Sequence, residues 1–228
     1  MSAASAPPPD SSDAGRREPG STDRPARILR PRSGFPRAVA LLRAGQLVAF
    51  PTDTVYGVGA VIWDPQAVRR LYEVKLRPAG KAIPVLLADA ADLSLVAGNL
   101  SRAALQLVGR LWPGPLTVVV PRAEDVPDEV TAGGATVAVR VPDHDLARAL
   151  IRAAGAPLAA TSANLSGQQS PVTAREAALQ LGSRIPLVLD GGPCPGGVAS
   201  TVVDFTGPTP VILRPGPLSM EDIVSALG

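Results

Sequence analysis

Four short polar segments interrupt a largely apolar chain, and their residue types suit the binding of a small charged ligand. The first, Pro51-Thr52-Asp53-Thr54-Val55-Tyr56-Gly57-Val58-Gly59, offers hydroxyls, a carboxylate and two glycines that allow close backbone approach. It reads equally well as an Asx or Ser/Thr turn closing a hairpin. The second, Lys75-Leu76-Arg77-Pro78-Ala79-Gly80-Lys81, carries three cations in seven residues, with Pro78 and Gly80 breaking any helix. Lys75 and Lys81 are the only lysines in a chain that otherwise uses arginine. That coincidence favours an anion site, with Arg as a planar fork and Lys as a point charge. The third, Thr161-Ser162-Ala163-Asn164-Leu165-Ser166-Gly167 with Ser170-Pro171, suits a small polar ligand and equally a turn leading into a helix cap. The fourth joins Ser200-Thr201-Val202-Val203-Asp204 to Arg214-Pro215-Gly216. Arg214 ends an apolar strand, so it pairs either with Asp204 or with a bound anion.

Two residues draw the eye but are assigned no chemistry. His144, at a helix start between Asp143 and Asp145, reads as a surface or capping residue. Cys194, in a Gly- and Pro-rich loop, has no evident partner base. Neither a P-loop nor a G-x-G-x-x-G after a strand is present.

The 228 residues contain one Cys and one His, which excludes a disulfide framework and any zinc site built on several such ligands. The formal charge is +2. Residues 1–37 hold seven Arg and four acids, together with seven prolines, and the remainder carries 15 basic and 16 acidic side chains. The basic surplus is thus assigned to a disordered Pro/Arg-rich tail over 1–33, leaving a nearly neutral domain over 34–228. That balance argues against a broad nucleic-acid surface. The start lacks a signal sequence and no apolar run is long enough to span a membrane, so the expected location is cytoplasmic.

The elements that must position these segments alternate. Helices are expected at 36–44, 64–74, from Ser101, at 143–154, 173–181 and from Ser219. Strands are expected at 46–50, 83–88, 116–120, 136–141, 158–160, 187–189, 200–205 and 210–214. The late strands crowd together without helices between them, which predicts an α/β domain with a mixed sheet.

In this order the segments PTDTVYGVG (51–59), KLRPAGK (75–81), WPGPLTVVV (112–120), TVAVRVPDH (136–144), TSANLSG (161–167), STVVD (200–204) and RPG (214–216) resemble the YrdC/Sua5 family. The resemblance covers roughly residues 36–226. It implies a twisted, open mixed sheet with helices packed on it and a large concave pocket. It also implies the activity of an L-threonylcarbamoyladenylate synthase, a nucleotidyltransferase that makes the precursor of threonylcarbamoyladenosine at position 37 of tRNAs. L-threonine captures bicarbonate or CO₂, and the carbamate attacks ATP to release pyrophosphate, with Mg²⁺ accompanying ATP. No metal ligands are assigned.

Carried over residue by residue, the resemblance places L-threonine against Thr54, Arg140, Ala160 and Ser200. ATP would meet Arg77, Lys81, Thr136, Ser162, Asn164, Ser170 and Arg214, and Lys75, Arg77 and Lys81 would act in catalysis. Partners implied are downstream tRNA threonylcarbamoyl-transferase proteins and a weak tRNA contact; none is a membrane. Three departures stand out. Lys81-Ala82-Ile83-Pro84 replaces the Lys-Pro-Leu of many relatives, and Leu86 stands where some place a histidine. Longer relatives also close the pocket with a C-terminal domain, a role left here to the 191–199 loop or the tail. The runner-up reading is a double-stranded RNA or tRNA-binding module of the same fold.

Overall fold

In the computed structural model, which describes residues 25–76 and 80–228, the strands form one open mixed sheet. They are β1 (Ile28–Leu29), β2 (Val48–Phe50), β3 (Gly57–Val61), β4 (Val85–Leu86), β5 (Leu116–Pro121), β6 (Thr136–Arg140), β7 (Leu158–Ser162), β8 (Leu187–Leu189), β9 (Thr201–Asp204) and β10 (Val211–Arg214). Their order is β1-β8-β2-β3-β7-β4-β6-β5-β9-β10. Parallel pairs (β1 with β8, β8 with β2, β4 with β6, β5 with β9) mix with antiparallel ones, as the crowding of the late strands predicts. The helices are α1 (Pro31–Arg43), α2 (Pro65–Lys75), α3 (Arg102–Leu111), α4 (Asp128–Thr131), α5 (Asp145–Ala154), α6 (Ala174–Leu181) and α7 (Met220–Leu227). None of the described helices is long and apolar enough to cross a membrane.

Short-range signals start these helices where expected. Asp64 accepts from the backbone N–H of Gln66 and Ala67, both at 3.0 Å, ahead of Pro65. Ser101 caps α3, and Thr173 with Glu176 and Ser219 with Asp222 form reciprocal capping boxes. Side chains alternate across each strand and so sort the core into two layers. Val48 and Phe50 of β2 and Leu187 and Leu189 of β8 join α1 and α5 on one face. Ala49 and Val188 point the other way, toward the layer holding α2, α3, α6 and α7. Truncating a fully buried member such as Leu42 or Leu150 to Ala would cost about 2–5 kcal/mol.

The N-terminal boundary differs from the sequence expectation. Ala26 is buried, β1 pairs with β8, and α1 begins at Pro31 instead of Pro36. Either proline suits a first turn, and the Gly34-Ala38-Leu42 stripe decides for the earlier one by packing on the sheet. Gly34 has no alternative: a Cβ there would lie 2.8 Å from Leu29 Cβ and 2.9 Å from Leu189 Cδ1. The predicted disorder of residues 1–24 lies outside the described residues. Those 24 residues hold three Arg and four acids, whereas residues 25–43 hold five Arg and no acid. The basic surplus therefore belongs to the folded β1–α1 segment, which corrects its assignment to the tail.

Candidate active site

A single row of residues crosses five strands on the face that carries α1 and α5. Leu86 of β4 stands beside Arg140 of β6. The antiparallel register Val118↔Val139 brings Thr117 of β5 opposite Arg140. Thr117 in turn stands beside Val202 of β9, and Val202 beside Arg214 of β10. Helices do not cover this stretch, and a cavity of about 370 Å³ opens over it. Its walls include Thr54, Pro84, Ala160, Ser162, Ser200 and both arginines of the row.

Arg140 is 6% exposed, and its guanidinium is held on three sides. Nε donates to Gly114 O at 2.9 Å, Nη1 to Thr54 Oγ1 at 3.0 Å, and Nη2 to Asp53 at 2.6 Å. Two of its five N–H groups are left for a ligand. Burial pushes its pKa below the usual arginine value, opposed by Asp53, and the nearby Arg214 adds to the depression. The loop that supplies Asp53 and Thr54 is itself braced. Thr52 Oγ1 donates to Val55 O at 2.7 Å and accepts from the N–H of Thr54 and Val55. The Ser/Thr-turn reading and the site reading of this segment therefore both hold, because the turn builds the site.

Arg214 does not pair with Asp204, which corrects one of its two expected partners. Asp204 accepts from Thr206, both N–H and hydroxyl, since that turn lies within the reach of its short side chain. Arg214 instead donates to Ser200 O at 2.8 Å and Ser200 Oγ at 3.2 Å. No carboxylate among the described residues forms an ion pair with it. A cation of lowered pKa with only neutral partners, in the wall of a cavity, is an anion-binding group. Ser200 Oγ also lies 2.7 Å from Thr117 Oγ1.

Of the expected site residues, Thr54, Arg140, Ala160, Ser162, Ser200 and Arg214 line the cavity. Lys75 does not. It is 2% exposed, and its Nζ donates to Ser162 O, to Asn164 O at 2.6 Å and to Asn164 Oδ1 at 3.4 Å. Asn164 Nδ2 in turn donates to Leu165 O and Gln168 O. Lys75 and Asn164 thus stand behind the wall and hold the loop that presents Ser162, which corrects the reading of Lys75 as a phosphate-facing cation. The cause is the helix: as the last residue of α2, Lys75 faces the loop after β7. Lys81 is exposed next to Ala82, which lines the cavity. Thr136 begins β6, at the end of the strand away from Arg140, and Ser170 precedes Pro171, whose carbonyl accepts from Tyr56 N. Neither lines the cavity, and Arg77 lies outside the described residues.

The sequence reading missed Asp53 as the partner of Arg140 and Thr117 as the partner of Ser200. The second had a signal: a hydroxyl inside the run Leu116–Val120 is buried and so needs a partner. His144 caps α5, accepting from Ala147 N at 3.5 Å, and burial lowers its pKa, which keeps Nδ1 free to accept. Cys194 is buried with its thiol pushed up to about 11 by desolvation, an inert state at neutral pH. The loop at 191–199 is fastened, and its Ala199 lines the cavity. Tyr56 Oη donates to Gly192 O at 2.6 Å, Cys194 N to Val172 O and Gly197 N to Thr54 O.

Fold and site together define an α/β domain whose cavity offers two guanidiniums and several hydroxyls to a small anionic or zwitterionic ligand. The family model for Sua5, YciO and YrdC, described as Telomere recombination, matches residues 40–216, and the chain belongs to this family. It is 45% identical over 191 residues to a threonylcarbamoyl-AMP synthase of Pyrococcus abyssi, covering 84% of this chain and 56% of that protein. It is 40% identical over 195 residues to a putative threonylcarbamoyl-AMP synthase of Mycobacterium tuberculosis, covering 86% of this chain and 89% of the relative. The crystal structure of P. abyssi Sua5 complexed with L-threonine superposes with a TM-score of 0.84 at 43% identity, over 88% of this chain and 60% of that one. The chain thus spans little more than half the length of the P. abyssi protein.

Proposed function

We propose that the chain is an L-threonylcarbamoyladenylate synthase. The observation that carries this reading is the row that sets Arg140, Thr117 and Arg214 side by side under one cavity, in a family whose P. abyssi member binds L-threonine. The two free N–H groups of Arg140 receive the threonine carboxylate, a charge-assisted contact worth about 1.5–3 kcal/mol. The hydroxyls of Thr54 and Ser200 orient the amino acid, and the small side chain of Ala160 leaves room for it. Arg214 and Ser162 meet the nucleotide, and Arg77 and Lys81 act on its phosphates.

The amino group attacks bicarbonate or CO₂ to form a carbamate. A carbamate oxygen then attacks the α-phosphorus of ATP, the bond from that phosphorus to the bridging oxygen breaks, and pyrophosphate leaves. The nucleophile comes from the substrate, so the protein positions reactants and stabilises charge, as a nucleotidyltransferase of this type requires. The described residues contain no group of three or more His, Cys, Asp or Glu that could hold a metal ion, and no carboxylate lines the cavity. Among the described residues the protein thus offers no carboxylate cluster for a metal, and Mg²⁺ would enter with the phosphates of ATP. The product is labile and passes to transferase proteins that modify tRNA, in the cytoplasm.

Incubation with ATP, L-threonine, bicarbonate and Mg²⁺ tests the reading. Pyrophosphate release that requires threonine is the expected result, and release that ignores threonine overturns it.

A further inference from the structure

Between the two arginines of the cavity stands a buried hydroxyl that bonds to neither of them. Thr117 is 1% exposed and lies on the cavity face of β5, while its neighbours Leu116 and Val118 point into the other layer. A valine would fill the same space in this strand, so packing alone does not call for the hydroxyl. Among the described residues its hydrogen-bond partner is Ser200 Oγ, at 2.7 Å.

The backbone around Ser200 is fixed. Thr201 Oγ1 donates to Leu218 O at 3.0 Å and accepts from Leu218 N at 2.9 Å, and Thr201 N donates to Pro115 O at 2.9 Å. A Cβ on Gly216 would lie 2.6 Å from Ser200 C, so only glycine lets the segment after β10 close on this backbone. What remains free is the Ser200 hydroxyl rotor. A hydroxyl has one proton and two acceptor sites. Arg214 Nη2 fills one acceptor site of Ser200 Oγ, at 3.2 Å. The buried Thr117 proton needs an acceptor, and Ser200 Oγ is the one in reach, so Thr117 donates and fills the second. The Ser200 proton then has no use for either partner and is turned into the cavity. In that state Ser200 can donate to a ligand oxygen and cannot accept from an ammonium group.

The β5–β6 register sets Thr117 opposite Arg140, and Val202 beside Thr117 pairs with Arg214. With the amino-acid carboxylate on Arg140 and the nucleotide on Arg214, the group that forms between them is the carbamate. We infer that Thr117 is a positioning residue that holds Ser200 as a hydrogen-bond donor to the carbamate. Donation to one carbamate oxygen steadies the group while the other oxygen attacks phosphorus, and the Ser200 proton stays on Ser200 throughout. The inference rests on the synthase reading.

The test is steady-state pyrophosphate release by the full chain at saturating ATP, bicarbonate and Mg²⁺, with threonine varied. Thr117→Val keeps the shape and removes the proton. It should lower kcat on the order of tenfold at unchanged KM for threonine, the pattern of an interaction made only beyond the bound ground state. Thr117→Ser, which restores the hydroxyl, should recover kcat. Ser200→Ala should cost about 10²–10³ in kcat. In that background Thr117→Val should add less than about twofold, because Thr117 acts through Ser200. A wild type without threonine-dependent release would overturn the synthase reading itself. An active wild type whose Thr117→Val variant keeps full kcat would overturn this inference alone. So would a KM that rises as much as kcat falls, or a loss that persists in the Ser200→Ala background, since either outcome marks Thr117 as ground-state packing.

Discussion

Arg140 and Asp53 form the one ion pair of the described structure in which both side chains are nearly buried, at 7% and 13% exposure and 2.6 Å. Removing one partner of such a pair leaves an uncompensated charge and costs about 3–5 kcal/mol. Arg140→Met also orphans Gly114 O and leaves the Thr54 hydroxyl with Thr52 Oγ1 in place of a charged donor, so the upper part of that range applies. Asp53→Asn keeps an acceptor but exchanges a charge-assisted bond for a neutral one of roughly half the strength, about 1–2 kcal/mol. The double variant should cost less than the two singles together, with a coupling of at least ~2 kcal/mol. In a domain of this size each kcal/mol moves Tm by about 2–4 °C, so a cost of about 4–5 kcal/mol for Arg140→Met should lower Tm by roughly 8–20 °C. Urea denaturation of the four proteins supplies the cycle, and calorimetric titration with L-threonine supplies its functional side. Asp53→Asn should weaken threonine binding about tenfold, because the guanidinium loses the anchor that aims its remaining N–H groups. A coupling below ~0.5 kcal/mol, the range of surface pairs, would refute the claim that this pair organises the site.

Lys75→Met should cost at least ~2 kcal/mol, since it strips three oxygens of a charged donor; an unchanged Tm together with lost turnover would restore Lys75 to direct contact with phosphate. Tyr56→Phe should cost about 0.5–1.5 kcal/mol and speed hydrogen exchange at the amides of Cys194 and Gly197, and unaltered exchange there would show that Tyr56 does not fasten the 191–199 loop. For His144 the folded pKa lies below the unfolded value, so the unfolded state takes up the proton first and stability falls as pH drops below about 6.5. His144→Asn, which keeps a cap, should flatten Tm between neutral and mildly acidic pH, and an identical profile in both proteins would refute this role.

What was legible in the sequence came from short-range chemistry. Asp64-Pro65, Ser101 and Ser219 start helices because caps act within one turn, and the mixed sheet followed from late strands that leave no room for crossover helices. Arg140, Ser200 and Arg214 were recognisable because motifs at strand ends keep their order along the chain, and the structure brings all three to one cavity. Partner choice was another matter. Arg140 takes Asp53 from 87 residues away, and Arg214 takes Ser200 over the nearer Asp204, because sheet register decides which side chains share a row. Lys75 carries the charge of a phosphate ligand, yet the last turn of α2 aims it at a buried loop. The net charge of +2 was read correctly, but its place was not. Arginine and proline next to an unstructured-looking start resemble a tail, and only the docking of Gly34, Ala38 and Leu42 on the sheet turns them into an ordered face.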